Sequence, residues 1–234
     1  MGKIIKKFIF IHIPRTAGTS IATMLTNHIW RFPRRPASIS KWENIIDNKT
    51  SLVLEHTDVR QLLDRGALSN EFYESVFKFT FVRNPWDRIA SLYKSYLDDP
   101  TLLSNLAGSR HAKGTSHRFE SRYSLDSSIE GFRDFVGYLS TINIVKIGLY
   151  NRKEWSHFNS QLDWIPNDID FVGKFENLEN DFNFVCDRTG HPRIKLPHKN
   201  KTEGKSYQEL YDDKTKNVIF EMYNDEIKKF KYEF

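Results

Sequence analysis

Cysteine is almost missing from this chain: 234 residues hold one, Cys186. An intramolecular disulfide is therefore impossible, and a zinc site built on several thiolates is excluded. Long apolar runs are missing too, since no segment approaches the ~20 apolar residues that a membrane span needs. The apolar stretch behind Lys3, Lys6 and Lys7 is short, rich in β-formers, and runs directly into His12-Ile-Pro-Arg15, so a cleaved signal peptide is not expected. These absences predict a reducing, cytoplasmic setting. The nucleotide-binding signature G-x-x-x-x-G-K-S/T is absent as well, which weakens an NTPase or kinase reading. No internal repeat is present.

What is present fits one well-buried domain. Hydrophobic residues make up 39% and aromatic residues 14%, enough for a dense core, while 28% charged residues supply a large polar surface around it. A second full domain would be cramped at this length. The formal charge of +5 favours anionic partners: a nucleotide cofactor, an acidic glycan, nucleic acid or a phospholipid surface. Basic residues gather before residue 50, at Lys3, Lys6, Lys7, Arg15, Arg31, Arg34 and Arg35, and again between Lys195 and Lys205. They either focus the field on part of the surface or form a solvated basic face.

Periodicity orders the elements. Lys6 to Ile13 is a continuous apolar strand, after which Ile21, Leu25, His28 and Ile29 recur at helical spacing. A connection rich in Pro and Arg spans Arg31 to Pro36, and a short helix is expected around Trp42 to Ile46. Ser51 to His56 reads as a second buried strand, with Asp58 capping a helix through Leu63. Val76 to Val82 is a third strand, and Trp86, Ile89, Ala90, Tyr93 and Leu97 give the next helix one apolar stripe, with Pro85 in its first turn. Between 98 and 130 the pattern dissolves into Ser, Gly, Asp and basic residues and reads as an insertion or lid. Phe132, Phe135, Val136 and Leu139 mark a helix; Ile144 to Leu149 is a possible strand; Phe171 to Phe175 is a short strand before a helix from Leu178 to Thr189, which Gly190 and Pro192 stop. That helix buries Cys186. A last amphipathic stretch runs from Asp212 to Phe230. Apolar strands alternating with helices predict an α/β fold, a central parallel sheet with helices on both faces.

Ligands of such sheets bind beyond the carboxyl ends of the strands. Arg15, His56 and Arg83 each follow an expected strand within a residue or two, so neighbouring strands would crowd all three at one edge. In the first junction an apolar run stops at Pro14 and a helix opens with Gly18-Thr19-Ser20. Backbone N–H groups, the hydroxyls of Thr19 and Ser20 and the fork of donors on Arg15 suit a phosphate there. In the second, Arg83 ends the strand and Ser91 lies eight residues on, so both could reach one phosphate. Arg88 is expected to pair at the surface with Asp87 or Asp98 rather than bind a ligand. Two such junctions suggest a cofactor phosphorylated at both ends.

The residues of these junctions match a known family. His12-Ile-Pro-Arg-Thr-Ala-Gly-Thr-Ser20 resembles the 5′-phosphosulfate loop of sulfotransferases that use 3′-phosphoadenylyl sulfate (PAPS), and Val82-Arg-Asn-Pro-Trp-Asp-Arg-Ile-Ala-Ser91 resembles their 3′-phosphate motif. More particularly the chain resembles the carbohydrate branch containing heparan 2-O- and chondroitin 4-O-sulfotransferases. Later blocks of that branch are similar to His157-Phe-Asn-Ser-Gln161, Asp170-Phe-Val-Gly-Lys-Phe-Glu-Asn-Leu-Glu179 and Leu196-Pro-His-Lys-Asn200. The resemblance implies a single P-loop-like sulfotransferase domain over 1–234, with the lid at 98–130. It also implies in-line transfer of a sulfuryl group from PAPS to an acceptor hydroxyl, leaving adenosine 3′,5′-bisphosphate (PAP), with no metal.

By that resemblance Arg15, Thr16, Ala17, Gly18, Thr19, Ser20, Arg83 and Ser91 bind the donor, and Lys199 and Lys201 close over it as a second basic rim. The family usually carries Lys at the place of Arg15; a guanidinium keeps the charge but does not readily donate its proton. His12 is either a hydrogen-bond donor to the sulfuryl or phosphate oxygens or a satisfied core histidine. His56 is the expected general base, Glu55 the runner-up base or a structural ion-pair partner. Arg110, Lys113, Arg118 and Arg122 in the lid suit an anionic glycan, or are solvated loop charges; a small phenol or alcohol is the alternative acceptor. A P-loop kinase and a basic nucleic-acid binder are the rival readings. No nucleic-acid partner is expected, and oligomeric state is left open.

Overall fold

Phe8-Ile-Phe-Ile-His12 carries no polar alternation, and a strand of that composition is stable only when both its faces are covered. The computed structural model, which describes residues 7–25, 29–32, 51–55, 57–99, 126–141, 155–193 and 206–234, meets that demand. Among these residues one sheet forms from β1 (Phe8–His12), β2 (Ile29–Phe32), β3 (Ser51–Glu55), β4 (Phe77–Val82) and β5 (Phe171–Lys174). The strand order is β2-β3-β1-β4-β5 and every neighbouring pair is parallel. The described helices are α1 (Gly18–Met24), α2 (Val59–Asp64), α3 (Asn70–Ser75), α4 (Pro85–Asp98), α5 (Ile129–Thr141), α6 (Leu178–Thr189), α7 (Asp213–Met222) and α8 (Asn224–Phe230). The expected α/β class with its parallel sheet is what the structure shows.

Two compact units divide the chain, one of Met1–Arg83 with Gln161–Asn200 and one of Asn84–Ser160 with Lys201–Phe234. The first holds the sheet. Registered residues of parallel strands share a face, so the pairs Phe8↔Phe77 and Phe10↔Phe79 set an aromatic ladder on one side. The rings of Phe10 and Phe79 stack with centroids 5.0 Å apart, and Phe8 meets Phe79 at 5.6 Å. Ile21, Ala22 and Leu25 at α1 and Phe182, Val185 and Cys186 of α6 complete this core. Gly173 belongs to the same face because a Cβ there would lie 2.5 Å from the Phe81 ring. On the opposite face Ile9, Ile11, Leu52, Leu54 and Val82 are equally buried. There the Lys78 ammonium sits 4.8 Å from the ring centroid of Tyr73 in α3, so helices do cover both faces.

Local chemistry explains the boundaries. Asp58 caps α2, its carboxylate accepting from the N–H of Arg60 at 3.0 Å, and Gly190 ends α6 in the left-handed region at φ 74°. One expectation failed: the helix after β1 stops at Leu25, whose N–H bonds Ile21, and Ile29 opens an edge strand instead of continuing the apolar stripe. Ile-Trp-Arg-Phe is β-forming, and pairing with β3 outweighs the apparent helical spacing. The expected helix at Trp42 to Ile46, the possible strand at Ile144 to Leu149 and most of the 98–130 insertion lie outside the described residues.

The second unit is helical. Pro85 occupies the first turn of α4, and Asn84 caps it by accepting from the N–H of Trp86 at 3.1 Å. Arg88 corrects the surface pairing expected for it: the side chain is 0% exposed and meets Glu226, also 0% exposed, at 3.7 Å. Its guanidinium donates to the carbonyls of His157 (3.2 Å) and Asn159 (3.0 Å) and lies 5.0 Å over the ring of Tyr223. A charge this deep persists because both of its terminal nitrogens are partnered. The amphipathic stretch from Asp212 to Phe230 forms two helices that meet at Tyr223, whose hydroxyl donates to the Phe158 carbonyl at 2.8 Å. Among the described residues no helix is long and apolar enough to cross a membrane.

Candidate functional site

Strand order decides which junctions meet. β1 lies between β3 and β4, so the carboxyl ends of these strands, at His12, Glu55 and Val82, are adjacent along one edge of the sheet. His12 is registered with Glu55, which places the two on the same face. His12 is buried and Glu55 half-buried. His56, the next residue, lies outside the described residues, as do Lys199 and Lys201.

The loop after β1 has an unusual backbone. Arg15 and Ala17 both take the left-handed region, at φ 68° and φ 66°, while Thr16 between them does not. Residues other than glycine in that region cost roughly 1–3 kcal/mol each and persist where the surroundings impose them. Alternation of hand turns successive N–H groups toward one side, the backbone pattern of an anion-binding concavity. Thr16 is buried and fixes the turn by donating to the Ile13 carbonyl at 2.9 Å. Its hydroxyl is thus a strut of the loop as well as a candidate ligand. Thr19 is exposed and Ser20 half-buried.

Gly18 is needed for space rather than for flexibility. A Cβ at Gly18 would fall 1.8 Å from Cδ2 and 2.1 Å from Nε2 of His12. The imidazole, stacked on Phe10 at 5.9 Å, occupies the volume that any side chain at 18 would need. His12 therefore supports the loop from beneath whatever else it does. Both readings of this residue, core histidine and site residue, are served by one position.

The second junction reaches the first. Nη1 of Arg83 donates to the carbonyl of Arg15 at 3.3 Å, and the guanidinium lies 4.0 Å over the centroid of the Phe175 ring. The Arg83 backbone is held at both ends by one side chain: its N–H donates to Oε1 of Gln161 and its carbonyl accepts from Nε2, each at 2.8 Å. So the structure brings together Arg15, Thr16, Ala17, Gly18 and Arg83, and aligns His12 with Glu55. Ser91 is a half-buried residue of α4 in the second unit. Neither Gln161 nor Phe175 was given a role in the site by the sequence. An apolar ring after β5 and a glutamine far along the chain carry no motif of their own.

A family model described as the sulfotransferase family matches residues 5–233. Carbohydrate sulfotransferase 14 of Danio rerio is 24% identical over 176 residues, covering 68% of this chain and 46% of that protein. Carbohydrate sulfotransferase 8 of Homo sapiens is 28% identical over 120 residues, covering 50% of this chain and 27% of that protein. The chain thus spans less than half the length of either curated relative. A solved sulfotransferase from Alicyclobacillus acidocaldarius aligns over 99% of this chain and 95% of its own at 13% identity, with a TM-score of 0.49. With the family model extending over nearly every residue, the chain belongs to the sulfotransferase family.

Proposed function

We propose that this chain is a PAPS-dependent sulfotransferase that transfers a sulfuryl group to the hydroxyl of a carbohydrate. The observation that carries the reading is the contact between Arg83 and the backbone of Arg15, which joins the two phosphate-type junctions at one sheet edge. The donor chemistry fits these residues: two guanidinium forks and a loop of alternating hand suit a ligand with phosphate groups at both ends. The names of the relatives favour a carbohydrate acceptor over a small phenol. The single cysteine fits a reducing compartment, which is part of the proposal.

PAPS supplies an activated sulfuryl group on its 5′-phosphate. The acceptor oxygen forms a bond to sulfur as the bond from sulfur to the bridging phosphate oxygen breaks, leaving PAP. In such transfers positioning and charge stabilisation dominate. The N–H groups of Thr16 to Ser20 and the Arg15 guanidinium hold the 5′ end and stabilise the charge that grows on the leaving oxygen. Arg83 holds the 3′-phosphate. His56 takes the acceptor proton, with Glu55 beside it on β3 as the second candidate. Lys199 and Lys201 are the candidates for further contacts to the donor's negative charge.

Titration of PAP together with turnover of labelled PAPS on desulfated glycans separates these roles. Arg83→Ala weakens PAP binding by about tenfold or more, the loss of a charge-assisted contact of roughly 1.5–3 kcal/mol. His56→Ala keeps PAP binding and loses turnover. Full activity in His56→Ala removes the base assignment, and undiminished PAP binding in Arg83→Ala removes the proposed function.

A further inference from the structure

We propose that Gln161 is a positioning residue for recognition of the donor's 3′-phosphate, acting through Arg83; this rests on the reading that Arg83 binds that phosphate. Gln161 is 0% exposed, and a buried amide left unpaired costs about 1–3 kcal/mol, so its place demands partners. Two of them lie on one residue. The Arg83 N–H and carbonyl bond Oε1 and Nε2 of the same amide, at 2.8 Å each. This is the exchange of both bonds by which facing residues pair in an antiparallel ladder, made here by a side chain one residue past the end of β4.

The consequence is directional. With its backbone fixed, Arg83 follows the alternation of β4 and falls on the face of Phe79 and Phe81. Phe175 opens the helical turn directly after β5, two residues beyond Gly173, which is registered with Phe81. The guanidinium is laid on the Phe175 ring at 4.0 Å, with Nη1 toward the Arg15 carbonyl. An aromatic floor orients the plane of the fork, and the amide orients the bond from which the fork hangs. A hydrophobic residue of equal length would fill the space of Gln161 but release the strand end, and Arg83 would lose its aim while the loop around Arg15 stayed in place.

The test compares two probes, PAP and adenosine 5′-phosphate, which differ only in the 3′-phosphate. Wild type prefers PAP. Gln161→Met lowers that preference by about tenfold while affinity for adenosine 5′-phosphate stays within about twofold, and it adds nothing in an Arg83→Ala background. Equal weakening of both nucleotides, or an effect additive with Arg83→Ala, overturns the proposal. Gln161→Glu, which keeps the acceptor for the Arg83 N–H and loses the donor, is measured beside it with melting temperatures. It shows an intermediate loss of preference; full preference in a folded Gln161→Glu overturns the clamp even if Gln161→Met does not fold. If Arg83→Ala itself leaves the preference for PAP unchanged, the donor reading fails, whereas a loss in Arg83→Ala with none in Gln161→Met refutes the clamp alone.

Discussion

His12 and Gly18 form the tightest coupling at the site. The loop closes on the imidazole, and the missing Cβ of Gly18 is what lets it close. Gly18→Ala therefore forces the ring or the loop to move and lowers stability by about 1–3 kcal/mol, the usual cost of overpacking. Combined with His12→Ala the clash has no partner, so the double variant is less unstable than the sum of the singles, as read by denaturant unfolding. Additive losses would mean that Gly18 serves another purpose. The same pair shows why residue roles were only half legible: a G-T-S turn after a strand announces a phosphate loop, but nothing in the order of residues says that a histidine six positions earlier fills the glycine's empty place.

Elements were legible where composition was unambiguous. Phe8–Ile11 and Leu52–Leu54 are uninterrupted apolar runs, and Phe77–Val82 is interrupted only by Lys78 and Thr80; such runs fit strands covered on both faces. The strand Ile29–Phe32 was missed because Ile29 prolongs a helical period by coincidence and the strand is short. Arg88 was misplaced because charge at a helical position usually means solvent. In the structure it ties α4 to α8 through Glu226, whose other oxygen accepts from the Ser160 hydroxyl at 2.9 Å. Breaking one side of this pair leaves an uncompensated buried charge, so Arg88→Met or Glu226→Leu each costs about 3–5 kcal/mol. Removing both at once costs clearly less than the two singles added together. A melting-temperature cycle with no coupling between them would contradict the buried pair.

For the whole molecule, the parallel sheet and the family were accessible from the sequence because β1, β3 and β4 and the two motifs that follow β1 and β4 are contiguous stretches. The strand order was not. Only pairing of β1 with both β3 and β4 brings His12, Glu55 and Arg83 to one edge, and that pairing depends on packing of the Phe8, Phe10, Phe77, Phe79 and Phe81 ladder. Gln161 escaped for a related reason: its partner is a backbone 78 residues away, which no local pattern encodes. In the proposed function one bisphosphate ligand spans the loop at Arg15 and the strand end at Arg83. A crystal structure of the protein with PAP tests this most directly. The 5′-phosphate is predicted within hydrogen-bond distance of the N–H groups of Thr16 to Ser20, with the 3′-phosphate on the Arg83 guanidinium; PAP bound away from either junction would contradict it.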